Sequence, residues 1–121
     1  MSDFQSLPIV DVEVIQSLKD LGGEEDPGLF VEVVDLFLAD AQTRLKELER
    51  ALANGDVKLL ERTAHSLKSA SANVGALRFS KLCFEIELRG RHAKTDGVCE
   101  LVGEAARLYA ESRSALEALK A

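Results

Sequence analysis

Residues 56–74 read D-V-K-L-L-E-R-T-A-H-S-L-K-S-A-S-A-N-V, and their spacing decides the architecture. Val57, Leu60, Ala64, Leu67, Ser71 and Val74 recur in alternating steps of three and four, which makes a helix with one inner seam. Asp56 stands where an N-cap is needed, and Asn54-Gly55 closes the segment before it. His65 follows Ala64 on this helix. At about 100° per residue it points about 130° away from the centre of the seam, toward solvent.

The same period runs through the flanking segments. Upstream, residues 11–21 form a short amphipathic helix that Gly22 and Gly23 stop. Asp26-Pro27 then reads as an N-cap with proline at the first helical position. The long helix expected after it carries Phe30, Val33, Phe37, Ala41, Leu45, Leu48 and Leu52 as its stripe. Downstream, Gly75 interrupts, and residues 76–91 continue as a helix with Phe79, Cys83, Ile86 and Gly90 in line. Thr95, Asp96 and Gly97 turn the chain into a last helix striped by Val98, Leu101, Ala105, Leu108, Ser112, Ala115 and Leu119. No segment alternates with a period of two, so no strands are expected. The fold class is all-α: an antiparallel four-helix bundle with an additional short N-terminal helix.

A chain of 121 residues is one domain, 1–121, with its bundle core over about 27–120. Fifteen Lys and Arg against 21 Asp and Glu give a net charge of −6, and no concentrated basic patch is evident, so nucleic acid is not an expected partner. Met1 to Val10 lack the basic start and apolar run of a signal peptide, and no apolar stretch approaches the roughly 20 residues of a membrane helix. The expectation is a cytoplasmic protein without a membrane partner. Two cysteines without a secretory signal point to a reducing compartment, with Cys83 and Cys99 as plain buried thiols. The initial Met1 and the full set of helices favour a free-standing protein.

An exposed imidazole with small neighbours suits phosphoryl transfer to nitrogen. Neutral imidazole is a competent nucleophile near neutral pH. Ser69 and Ala72, one and two turns on, leave room for a protein partner to approach. Lys68, at i+3, can offset charge on the transferring oxygens. By geometry alone, a plain surface histidine beside a plain surface lysine is the better reading of these residues.

The wider string carries more. Residues 64–91, A-H-S-L-K-S-A-S-A-N-V-G-A-L-R-F-S-K-L-C-F-E-I-E-L-R-G-R, resemble the histidine-phosphotransfer (HPt) signature A-H-x-L-K-G-x-S-x-x-x-G-A followed by L-C and an apolar-Glu pair. Ala64, His65, Leu67, Lys68, Ser71, Gly75, Ala76, Leu82, Cys83, Ile86 and Glu87 match, and the likeness extends over about residues 10–120 through Phe37-Leu38 and the Asn54-Gly55-Asp56 turn. The resemblance implies that His65 takes phosphate from an aspartyl phosphate of a receiver domain, as in a hybrid histidine kinase, and passes it to the receiver of a response regulator. It implies Lys68 as electrostatic helper, no bound nucleotide or other cofactor, and magnesium only in the receiver. Ser69 departs from the usual glycine, adds only a hydroxyl, and is a candidate hydrogen-bond donor to the phosphoryl group.

Two further groups are candidates beside the histidine. Glu87 and Arg91, at i and i+4, stand where the family tends to place polar residues. Glu87 is expected to accept from the imidazole and Arg91 to help bind phosphate, against the plain alternative of a surface ion pair worth under about 1 kcal/mol. Leu77, Phe84 and Leu88 form a second apolar side on their helix, so Phe84 and Leu88 are expected to dock the partner or, alternatively, to pack under Val14 or Leu18. His92 has no ligands at metal spacing, and no phosphate-binding glycine loop occurs. Two other readings remain. Dimerisation helices of a sensor kinase would be a dimer with an acidic residue and a proline near the histidine; this chain has Ser66 there, no proline close by, and is expected to be a monomer. A non-phosphorylated interaction bundle would have no use for the His65–Lys68 pair.

Overall fold

The structure is a computed structural model that describes residues 6–120; the two ends of the expected 1–121 domain, and with them the first five residues of the stretch read for a signal peptide, lie outside the described residues. The described residues form five helices and no strand: α1 (Val12–Gly22), α2 (Leu29–Asn54), α3 (Val57–Asn73), α4 (Leu77–Arg91) and α5 (Val98–Leu119). Turns of two to six residues separate α2 from α3, α3 from α4 and α4 from α5, so successive helices run antiparallel. Each of these four packs against two others, in the cycle α2–α3–α4–α5–α2, and α1 lies on α2. None of the helices is long and apolar enough to cross a membrane.

The turn chemistry explains most boundaries. Asp11 caps α1 by accepting from the Glu13 amide at 2.9 Å, and Asp56 caps α3 by accepting from the Leu59 amide at 3.0 Å. The expected cap at Asp26-Pro27 is a correction. Helix α2 starts at Leu29 with Gly28 as its N-cap and no side-chain cap bond. The Leu29 amide donates to the Asp26 carbonyl at 3.2 Å, and Gly28 sits at φ −85°, ψ −4°. Asp26 to Leu29 is therefore a type I turn with proline at its second position, where its fixed φ is equally at home.

The stripes hold, with single-residue shifts. On α2 the chain buries Val34 where Val33 was expected, adds Leu38, and seats Ala51 deeper than Leu52. On α5 Val102 and Leu116 replace Leu101 and Ala115, Tyr109 joins the core, and Leu119 is only half-buried. On α3 Val57 is half-buried, while Thr63 is fully buried with its hydroxyl 3.4 Å from Glu47. The core centres on Phe79, which meets the Tyr109 ring at 6.3 Å between centroids. The Tyr109 hydroxyl donates to the Leu38 carbonyl at 2.9 Å, tying α5 to α2.

Both cysteines are free, and only Cys83 is buried; Cys99, at the start of α5, is exposed, which corrects the expectation of two buried thiols. Burial pushes the Cys83 thiol far up, so it stays protonated. Gly103 is the opposite of a required glycine. It lies exposed within α5, and a Cβ there would meet nothing within 4 Å. Gly103→Ala is expected to stabilise the fold by about 0.5–1 kcal/mol, read as a higher urea midpoint at unchanged slope.

Candidate functional site

Helices α3 and α4 pack closely against each other. Gly90 permits it: a Cβ at that position would lie 2.8 Å from the Glu61 nitrogen and 3.0 Å from the Glu61 Cα and the Val57 carbonyl. At their other end Gly75, at φ +77°, turns the chain and accepts from the Asp11 amide at 2.8 Å. A Cβ at Gly75 would press on Asp11 and Val14 at 3.1 Å, so α1 seats on this turn. Ser80 reinforces the pair by donating its hydroxyl to the Lys68 carbonyl at 2.8 Å.

The imidazole of His65 projects from α3 with 59% of its side chain exposed, as its offset from the seam requires. Ser69 and Ala72 are exposed on the same side of the helix. Across from it, Glu87 of α4 is buried, with 2% of its side chain exposed, and holds three cationic or donor groups. Its Oε2 lies 2.8 Å from His65 Nδ1 and 2.8 Å from Arg91 Nη2; its Oε1 lies 2.7 Å from Lys68 Nζ. Burial alone would push this carboxyl up, but Lys68 and His65 together outweigh it and hold Glu87 below the usual carboxylate range. An ionised carboxylate can only accept, so Nδ1 is the donor in this contact, and in the neutral ring the lone pair is then on Nε2.

This arrangement sorts the expected residues. His65, Lys68, Glu87 and Arg91 come together. Glu87 lies within hydrogen-bond distance of the imidazole and is buried, which places the contact below the surface. Arg91 is already engaged: its Nε reaches Glu61 at 3.0 Å while Nη2 holds Glu87, so it braces the carboxylates of both helices. Lys68, 27% exposed, lies back over the Phe84 ring at 4.9 Å, and Lys81 lies over the same ring at 5.1 Å. Phe84 is half-buried and, with Leu7, Lys68, Leu77, Ser80 and Lys81, lines a shallow hollow of about 270 Å³. Leu88 is half-buried one turn further along. Glu61 and Ser80 were missed from sequence. Glu61 precedes His65 by four residues, a helical neighbour spacing that was legible, whereas Ser80 is recognisable only from its partner helix. Among the described residues no three His, Cys, Asp or Glu side chains converge to hold a metal ion.

The carboxylate makes stability depend on pH. Because folding lowers the Glu87 pKa, its contribution is present above the ordinary glutamate value, about 4.3, and is lost as pH falls through the lower folded value. Glu87→Gln is expected to cost about 2 kcal/mol at neutral pH, the scale of a hydrogen bond to a charged group. Urea midpoints of the two proteins should converge on acidification. A gap that persists unchanged below pH ~3 would contradict this assignment.

Comparison with known proteins is consistent throughout. The sequence matches the Hpt domain over residues 32–121. Multistep phosphorelay regulator 1 of Schizosaccharomyces pombe is 28% identical over 110 residues, covering 91% of this chain; the chain spans 37% of that protein's length. The crystal structure of histidine-containing phosphotransfer protein B from Pseudomonas aeruginosa PAO1 superposes with a TM-score of 0.86 at 31% identity, covering 93% of this chain and 95% of the other. The histidine-containing phosphotransfer protein ZmHP2 from maize gives 0.80 at 27% identity, with 96% and 91% covered.

Proposed function

The chain belongs to the Hpt domain family, and from that premise we propose that it is a phosphocarrier of a phosphorelay, with His65 Nε2 as the atom that carries the phosphoryl group. The observation that supports this most directly is the pairing of an exposed imidazole with a buried, ionised Glu87 on its Nδ1. That contact fixes the ring's orientation and tautomer without blocking the nucleophile.

The partners are receiver domains, one of a hybrid histidine kinase and one of a response regulator. In the first transfer the Nε2 lone pair attacks the phosphorus of the aspartyl phosphate. An N–P bond forms as the P–O bond breaks, and the aspartate leaves as a carboxylate with the bonding pair. The ring keeps its Nδ1 proton and becomes cationic, and Glu87, 2.8 Å away, offsets that charge. In the second transfer a receiver carboxylate attacks phosphorus and the electrons return to Nε2. Lys68 meets a phosphoryl oxygen by swinging off Glu87 and Phe84, and Ser69 offers its hydroxyl from one turn away. Arg91, in this reading, braces Glu87 and does not bind the phosphate. Ala72, Phe84 and Leu88 belong to the docking surface. The chain works as one domain across residues 1–121, as a cytoplasmic monomer without a cofactor or ATP-dependent kinase activity, and any magnesium resides in the receiver.

Incubation with a labelled phosphoreceiver tests this. The expected product is one acid-labile phosphate per chain, which phosphorus NMR places on Nε2 and which a second receiver discharges. Phosphate on Nδ1, or an acid-stable ester, would overturn the assignment.

A further inference from the structure

Charge is divided unevenly along this chain. Residues 57–94 hold eight Lys and Arg against three Asp and Glu, a net of +5, whereas the remainder holds seven against eighteen, a net of −11. Sequence reading singled out no basic patch, but part of this positive charge lies around His65. Lys58, Arg62, His65 and Ser69 succeed one another at helical spacing along α3, and all four are exposed. A second row, Lys81, Phe84, Leu88 and Arg91, runs at the same spacing along α4. The Arg91–Glu61 and His65–Glu87 contacts join the two rows side by side. Two of the three acids, Glu61 and Glu87, are neutralised within the site by Arg91, Lys68 and His65. Lys58 and Arg62 form no ion pair among the described residues. Apart from Asp56 at the start of α3, the exposed carboxylates of the long helices lie elsewhere, among them Glu32, Asp35 and Asp40 on α2 and Glu100 and Glu111 on α5.

We propose that the face around His65 docks a carboxylate-rich protein surface, with Lys58 and Arg62 steering that partner onto the histidine. The inference rests on the phosphocarrier reading and adds the charge of the partner. An aspartyl phosphate is itself an anion, so presenting it brings negative charge against these cations. Attraction of this kind raises association rates and fades with salt. A compact acidic partner touches the basic face alone. A long duplex nucleic acid would extend past it toward the strongly acidic remainder of the molecule, which disfavours that class of ligand.

The test is transfer from a phosphorylated receiver to the full chain, measured against receiver concentration at low and physiological salt. Lys58→Glu and Arg62→Glu, singly and together, are expected to raise the half-saturating receiver concentration about ten-fold at low salt and to flatten its salt dependence. Glu111→Lys, on the acidic side, is expected to change neither. Both cations are exposed, and circular dichroism of each variant checks folding; either single variant suffices if the double does not fold. Phosphoramidate, a small donor that needs no docking, separates the two levels of the argument. Labelling of His65 by phosphoramidate with unchanged half-saturation and salt slope in the variants would overturn the docking proposal and leave the phosphocarrier intact. Absence of label from both donors would overturn the phosphocarrier and this inference with it. Binding of a fluorescent DNA duplex that Arg62→Glu abolishes would overturn the choice of a protein partner.

Discussion

His65→Gln is expected to take up no phosphate from a phosphorylated receiver domain, a fall to assay background, while folding as the parent protein does. The loss follows from chemistry: a side-chain amide has no lone pair basic enough to attack phosphorus. The fold is spared because the side chain is 59% exposed and sits on a helix, where glutamine is at least as favourable as histidine. The glutamine NH2 can also still donate to Glu87, so the buried carboxylate is not orphaned. The stability change should stay within about 0.5 kcal/mol, the usual range for surface substitutions. Label transfer and a urea titration on the same sample read both quantities. The sequence holds two histidines, and the other, His92, lies at the exposed end of α4. Acid-labile label on His65→Gln would move the acceptor there and remove the basis for the reading given above.

Gly90→Val is expected to destabilise the protein by about 2–3 kcal/mol, the scale of overpacking a closed contact. The three nearest atoms its Cβ would strike all belong to the backbone: the Glu61 nitrogen and Cα and the Val57 carbonyl. A side-chain tip could turn aside, but backbone yields only if α3 and α4 separate. The β-branch adds crowding against its own preceding turn. Separation acts first on groups that span the two helices, among them His65, Lys68 and Glu61 reaching Glu87 and Arg91. The variant should therefore also lose the Nδ1 hydrogen bond, seen as a changed imidazole nitrogen shift, before it loses helix content. Gly103→Ala provides the contrast, since a Cβ added in open space is expected to help. Equal stability of Gly90→Val and the parent would show that the helices have slack that the structure does not contain.

Much of this was written in the local pattern. Alternating steps of three and four placed five helices, and Asp56, Asn54-Gly55 and Gly75 marked their ends because capping and turning are contests among neighbouring residues. The exposure of His65 followed from its angle to the seam. Pattern failed where two neighbours were equally apolar. Val33 and Val34, Ala51 and Leu52, Leu101 and Val102, and Ala115 and Leu116 are pairs whose members lie only about 100° apart. Which of each pair turns inward depends on the helix opposite. Asp26-Pro27 failed for a related reason, since a cap and a type I turn ask for the same residues.

The helices, their order and the exposure of His65 could all be read along the chain, because each depends on residues within a few turns of one another. Packing alone buried Glu87 against His65 and Lys68 and tied Arg91 to both Glu61 and Glu87. Those facts arise between α3 and α4, where the missing side chain of Gly90 sets the distance across which charges can meet.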